Sequence, residues 1–131
     1  DKVQSVKLEA VEALGELKPA VAVRELKRLA VQDRNYRVRR EAVESLSDRN
    51  SASMLSFIAD VARKDEHRSV RSEAMEILVD DYGQEGIRTL ADIARTHSDG
   101  RVRQQAISAL GDSESTVARD LLIQLIGVKQ N

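Results

Sequence analysis

The side chains of this chain that could do chemistry are few and regularly spaced. His67 and His97 stand close to Asp65 and Asp99, and two imidazoles with two carboxylates are a ligand set for a transition metal. They fall in consecutive connections of a repeating chain, and stacked connections lie roughly 10 Å apart, too far to share one ion. Both histidines therefore read as solvated loop residues. There is no cysteine, which removes thiolate ligands, disulfides and cysteine nucleophiles. No serine sits in a nucleophile motif. Gly83-Gln84-Glu85-Gly86 reads as a turn and lacks the Lys-Ser/Thr of a phosphate loop. The aromatics Tyr36, Phe57 and Tyr82 are too few to stack bases. No catalytic residue, metal or cofactor is expected.

Charge is more informative, because it recurs in columns 32 residues apart. Lys7, Arg39, Arg71 and Arg103 form a basic column beside the apolar positions of their segments. On a half-buried flank an arginine needs a carboxylate. Asp33 and Asp65, or else Asp48, Asp80 and Asp112, are spaced to supply one per repeat, so this column reads as a structural ladder. Glu9 and Glu12, Glu41 and Glu44, and Glu73 and Glu76 form two acidic columns, which become Gln105 and Ser108 in the last repeat. Like charges three residues apart on a helix disfavour it by ~0.2–0.5 kcal/mol. Arg37 and Arg40 stand one turn before Glu41 and Glu44, whereas Glu73 and Glu76 have only Ser69 and Ser72 there. Two readings compete: a face that takes a basic partner on Glu41, Glu44, Glu73 and Glu76, framed by Arg37, Arg40, Ser72 and Gln104, or a solvated face that keeps the protein soluble.

The elements that carry these columns are helices. Val6-Lys7-Leu8-Glu9-Ala10-Val11-Glu12-Ala13-Leu14 returns at Val38–Leu46, Val70–Leu78 and Val102–Leu110 without insertion or deletion. A fixed period of this size signals stacked supersecondary units. The spacing predicts helices over 2–17, 20–32, 37–47, 52–63, 68–80, 84–96, 101–111 and 116–127. Ser51 and Ser115 serve as N-caps, Lys18-Pro19 ends the first helix, and Asp81-Tyr82-Gly83 forms a turn. The Val-Arg helices are termed B and the others A, so the chain begins on a B helix and ends on an A helix. The core set includes Val6, Ala10, Ala13, Leu14 and Leu17 in the first helix, and Val117, Ala118, Leu122, Leu125 and Ile126 in the last. A second apolar column, Val11, Val43, Met75 and Ile107, needs a neighbouring repeat to cover it. The last helix adds Leu121 and Ile123, which predicts end-to-end self-association there.

Composition sets the outer limits. In 131 residues, 21 basic side chains meet 22 acidic ones for a net charge of −1. That balance argues against nucleic acid and an anionic membrane as partners. No apolar run approaches the ~20 residues of a membrane helix. The first residue is Asp1 rather than Met, which suggests processing or trimming. No targeting signal is visible, and the cytoplasm is the default compartment.

The recurring V-R-x-x-A-x-x-x-L followed by a turn and a second amphipathic helix resembles the HEAT repeat, and its short period resembles the phycobilisome-lyase type. The motif is carried by Val6/Lys7/Ala10/Leu14, Val38/Arg39/Ala42/Leu46, Val70/Arg71/Ala74/Leu78 and Val102/Arg103/Ala106/Leu110. The resemblance implies an all-α, right-handed α-solenoid of about four 32-residue helix pairs, eight helices in all. Its A helices would be convex and its B helices concave. Residues 1–131 would form a single repeat domain, a piece of a longer solenoid. It also implies a non-catalytic scaffold that binds another protein or peptide. The alternatives are a bilin-lyase-like or hydroxylase-like catalytic member, or a spacer between other domains. HEAT-like hydroxylases hold iron with His-Glu dipeptides, whereas here His67 precedes Arg68 and His97 precedes Ser98.

Overall fold

Amphipathic stretches separated by short polar connections fold into α1 (Lys2–Glu16), α2 (Ala20–Gln32), α3 (Tyr36–Leu46), α4 (Ala52–Lys64), α5 (Arg68–Asp81), α6 (Gly83–Thr96), α7 (Gly100–Gly111) and α8 (Thr116–Leu125). The structure, a computed structural model, describes residues 2–16, 20–48 and 51–127. Leu17 and the Lys18-Pro19 stop lie outside them. Among the described residues no helix is long and apolar enough to cross a membrane.

Side-chain caps set most of the starts. Asn35, His67 and Asp99 each accept a backbone N–H two residues on and so open α3, α5 and α7. Ser51 and Ser115 cap α4 and α8. Each such bond satisfies an N–H that a helix start leaves unpaired.

The packing is that of a stack. Each of α2, α4 and α6 packs most extensively on the B helix that follows it, and the B helices α1, α3, α5 and α7 also pack in series. Val38, Val70 and Val102, with Ala42, Ala74 and Ala106 and with Leu46, Leu78 and Leu110, are buried. The second column, Val11, Val43 and Met75, is sealed between successive B helices.

The ends depart from the periodic expectation. Val6 is 66% exposed, and Ala10 and Ala13 are exposed, because no A helix precedes α1 among the described residues. At the other end Ile107 is 42% and Ile126 74% exposed, and in α8 only Ala118 is buried. Leu122 and Leu125 are half-buried there. Periodicity identifies which positions a neighbour would cover, and none of the described residues covers these.

Gly83-Gln84-Glu85-Gly86 is not a turn but the start of α6, with Tyr82 alone between it and α5. Gly83 has φ +58°, a left-handed conformation that suits glycine. A Cβ on Gly86 would lie 1.8 Å from the Leu78 carbonyl oxygen, so glycine lets α6 press against the backbone of α5. Gly86→Ala is expected to destabilise the fold by about 2 kcal/mol or more through this overlap. Gly111→Ala, with nothing within 4 Å of its Cβ, should stabilise by about 0.5–1 kcal/mol. Urea midpoints of the two variants check both signs.

Candidate functional site

The basic column crosses the stack at the connections between A and B helices. Arg39, whose side chain is 6% exposed, donates through one Nη to the carbonyls of Asp33 and Arg34 in its own connection. Its Nε and other Nη meet the two carboxylate oxygens of Asp65, in the next connection, at 2.9 and 3.2 Å. Asp65 also accepts the His67 N–H. One guanidinium thus fixes two successive connections, and the fork geometry of arginine is what allows it. At the N-terminal end Lys7 reaches Asp33 at 2.7 Å in the same register, with Lys7 half-exposed. Burial works against the Asp33 anion, yet the bonds from Lys7 and the Asn35 N–H hold its carboxyl below the usual range. Asp48, Asp80 and Asp112 lie at the far ends of the B helices and do not meet the basic column.

The third rung has another chemistry, because His97 stands where Asp33 and Asp65 stand. Its Nδ1 accepts the Asp99 N–H at 3.0 Å, so Nε2 carries the proton and donates to the Arg63 carbonyl at 2.8 Å. Arg71 still binds the carbonyls of Asp65 and Glu66, but its Nε turns to Gln105 Oε1 at 3.0 Å. Gln105 is buried and donates to the Arg68 carbonyl and to Ser72 Oγ. Arg103 donates to the carbonyls of His97 and Ser98, and no carboxylate of the described residues meets it.

The histidines are therefore not solvated loop residues. Both are half-buried. His67 caps α5 through Nδ1 and stacks on Tyr36 with ring centroids 3.6 Å apart. Each Nδ1 is occupied by a backbone N–H. The sequence signal for His97 was its place in the aspartate column. Nothing marked Gln105 as buried.

The acidic columns lie together on the B-helix face. Burial raises the Glu41 carboxyl above its ordinary value, and Glu44, Glu12 and Glu73 add to the rise. Burial does the same to Glu73, with Glu44 and Glu76 adding and Arg40 opposing. Arg40 approaches Glu73 from the preceding helix at 3.6 Å, a compensation that inspection of α5 alone does not reveal. Glu44 and Glu76 are exposed. Arg37 lies on the rim beside Tyr36, Gln104 is exposed, and Ser72 accepts from Gln105. Between α5 and α7 the face opens into a groove of about 380 Å³ lined in part by Ser72, Glu76, Asp80 and Ser108.

These charges oppose the helices that carry them. None of α1, α3, α5 and α7 has an acid in its first turn or a base in its last. Arg37, Arg68 and Arg101 stand at the starts, and Glu44 and Asp80 towards the ends. An exposed charge facing the wrong pole of a helix costs about 0.3–1 kcal/mol.

A family model described as HEAT repeats matches residues 1–79 and 55–131. The chain belongs to the HEAT-repeat family. No curated protein and no solved structure matches it. HEAT repeats form helical solenoids, generally serve as protein-interaction scaffolds and are typically non-catalytic.

Two outcomes follow from this geometry. Asp65→Ala strands a buried arginine and should cost about 3–5 kcal/mol. Asp33→Ala, which releases a half-exposed lysine, should cost roughly 1–2 kcal/mol. Chemical denaturation that ranks them in reverse would refute the ladder. The second outcome concerns pH. A carboxyl whose pKa is raised on folding contributes stability below its ordinary value of 4.5 and loses it as pH rises through the folded value. Glu73→Gln should therefore stabilise at pH 7 by about 0.5 kcal/mol, allowing for solvent screening. The gain over wild type should vanish in melts run at a pH below 4.5.

Proposed function

We propose that the chain is a non-catalytic interaction module that takes a basic protein segment along its B-helix face. It takes a second copy of itself at the end presented by α8. The observation that carries the first part is the continuous acidic stripe across successive layers, Glu12, Glu41, Glu44, Glu73 and Glu76. Burial, and after it the neighbouring carboxylates of the stripe, raise the Glu41 and Glu73 carboxyls above their ordinary value. A cationic partner relieves that repulsion, so its charges interact with a surface already raised in energy. In a HEAT solenoid this face is the concave one, which suits a helix or an extended segment.

The roles divide by position. Glu73 and Glu76 lie in the third B helix, flanked by neighbours on both sides, and Glu76 borders the groove between α5 and α7. Glu41 and Glu44 extend the stripe by one layer. Arg37 and Arg40 bound it on the side of the helix starts and exclude a misplaced cation, while Ser72 and Gln104 give polar edges that accept a backbone. Rim charges of this kind set register and on-rate more than affinity.

A labelled lysine- and arginine-rich helical peptide, followed by fluorescence anisotropy, tests the reading. Joint reversal of Glu73 and Glu76 to Lys should weaken binding at least about tenfold while leaving the helical circular dichroism unchanged. The loss should shrink as salt rises. Reversal of Asp60 and Asp92 on the A helices should leave binding intact. If the A-helix pair abolishes binding and the B-helix pair does not, the wrong face has been assigned.

A further inference from the structure

The A helices do not close on one another equally. α4 packs on α6 and α6 on α8, whereas α2 and α4 have no comparable contact. Two bridges cross the seam of α4 and α6. His97 donates through Nε2 to the Arg63 carbonyl at the end of α4, and the Arg63 guanidinium reaches Asp92 of α6 at 3.6 Å. One period of 32 residues earlier, at the seam of α2 and α4, the same positions hold Asp65, Val31 and Asp60. Asp65 is turned to Arg39, and Val31 has no charge to offer Asp60. Neither bridge forms there, and a cleft of about 620 Å³ stays open between the C-terminal halves of α2 and α4.

The cleft has the make-up of a binding site. Its volume falls in the range of pockets that enclose a ligand, and such pockets are mainly apolar with a few placed polar groups. Ala30, Val31, Phe57 and Val61 supply the apolar wall, and Val31 is left 59% exposed. The Val31 carbonyl stands where the Arg63 carbonyl stands in the next layer. Among the described residues nothing donates to it, as is usual for the last carbonyls of a helix that await an outside donor. At the rim Arg34 and Lys64 balance Asp60 and Glu66.

We propose that this cleft receives a tryptophan side chain of a partner polypeptide, its indole N–H donating to the Val31 carbonyl as His97 donates to that of Arg63. The next seam shows what belongs against this helix end, a flat ring with an N–H. An imidazole does not suit the open cleft. In His97 the second ring nitrogen accepts the Asp99 N–H, but the equivalent N–H, that of His67, is already taken by Asp65. Indole has one donor and no acceptor to satisfy, and its larger apolar body covers the valines and Phe57. A rim of balanced sign suits the uncharged main chain on either side of such a residue. Tryptophan seated in a pocket is a common anchor of protein interfaces. The cleft lies on the A helices, so this assignment does not rest on the acidic B-helix face.

The chain contains no tryptophan, so the emission of a bound indole is read without background. A short acetylated and amidated peptide, one tryptophan among glycines and alanines, should bind with a blue-shifted, more anisotropic emission. The same peptide with 1-methyltryptophan lacks the N–H and should bind at least about fivefold more weakly. Val31→Arg restores the bridging side chain of the next seam opposite Asp60 and should weaken binding at least about tenfold, whereas Val31→Leu should keep it. The position is exposed, so the fold survives both changes, and circular dichroism verifies this. Absence of binding to the wild-type chain at about millimolar peptide overturns the proposal. Equal binding of the methylated peptide, or equal binding by Val31→Arg, does the same. Free tryptophan that binds more tightly than the blocked peptide also overturns it, by making the cleft a site for the amino acid itself. The basic peptide on the B-helix face should bind Val31→Arg as it binds the wild type, which keeps the two readings separate.

Discussion

The buried guanidinium of Arg39 is the interaction on which the geometry of the stack depends. A charge that nearly enclosed is tolerable only when its donors are met, and the acceptors come from two different connections, Asp33 and Arg34 behind it and Asp65 ahead. The same residue therefore sets where one B helix starts relative to the next. Apolar burial drives the layers together but is indifferent to small slips, whereas a bidentate pair is directional. The acidic face inherits its spacing from these contacts, since Glu41 and Glu73 lie on the helices whose starts the arginines hold.

The substitution of His97 for aspartate shows how much of the rung is backbone chemistry. The aspartate has two tasks, to cap its own connection and to receive the arginine before it. Histidine keeps the first through Nδ1 and transfers its other nitrogen to the end of α4. The second passes to Gln105, a neutral acceptor that would be glutamate if the acidic column ran unbroken. An ionic rung is thereby replaced by a hydrogen-bonded one that also binds Arg68 and Ser72. With Gln105 fully partnered, the last layer gains a polar network in place of a carboxylate.

Much of this was legible in the sequence because a repeat presents the same evidence several times. Helix positions, the serine caps and the alternation of A and B helices follow from the 32-residue period. What periodicity does not encode is the difference between an interior copy and a terminal one. Val6 and Val38 are identical as letters, yet one is open and the other sealed. Gly86 departs from its local pattern for a related reason. Gly-x-x-Gly is a turn signal locally, but the close approach of the α5 backbone makes it a contact between helices. The proximity of Arg40 to Glu73 and the burial of Gln105 depend on which residues of neighbouring layers meet, and that is set by the twist between layers rather than by any one helix.

The three seams of the ladder are not alike. The first joins a half-exposed lysine to an aspartate, the second a buried bidentate pair, and the third neutral groups. Dissolved ions screen exposed charges far more than buried or neutral contacts. In a linear stack each seam couples only adjacent layers, so ionic strength acts most directly on the first seam, the one whose cation is half-exposed.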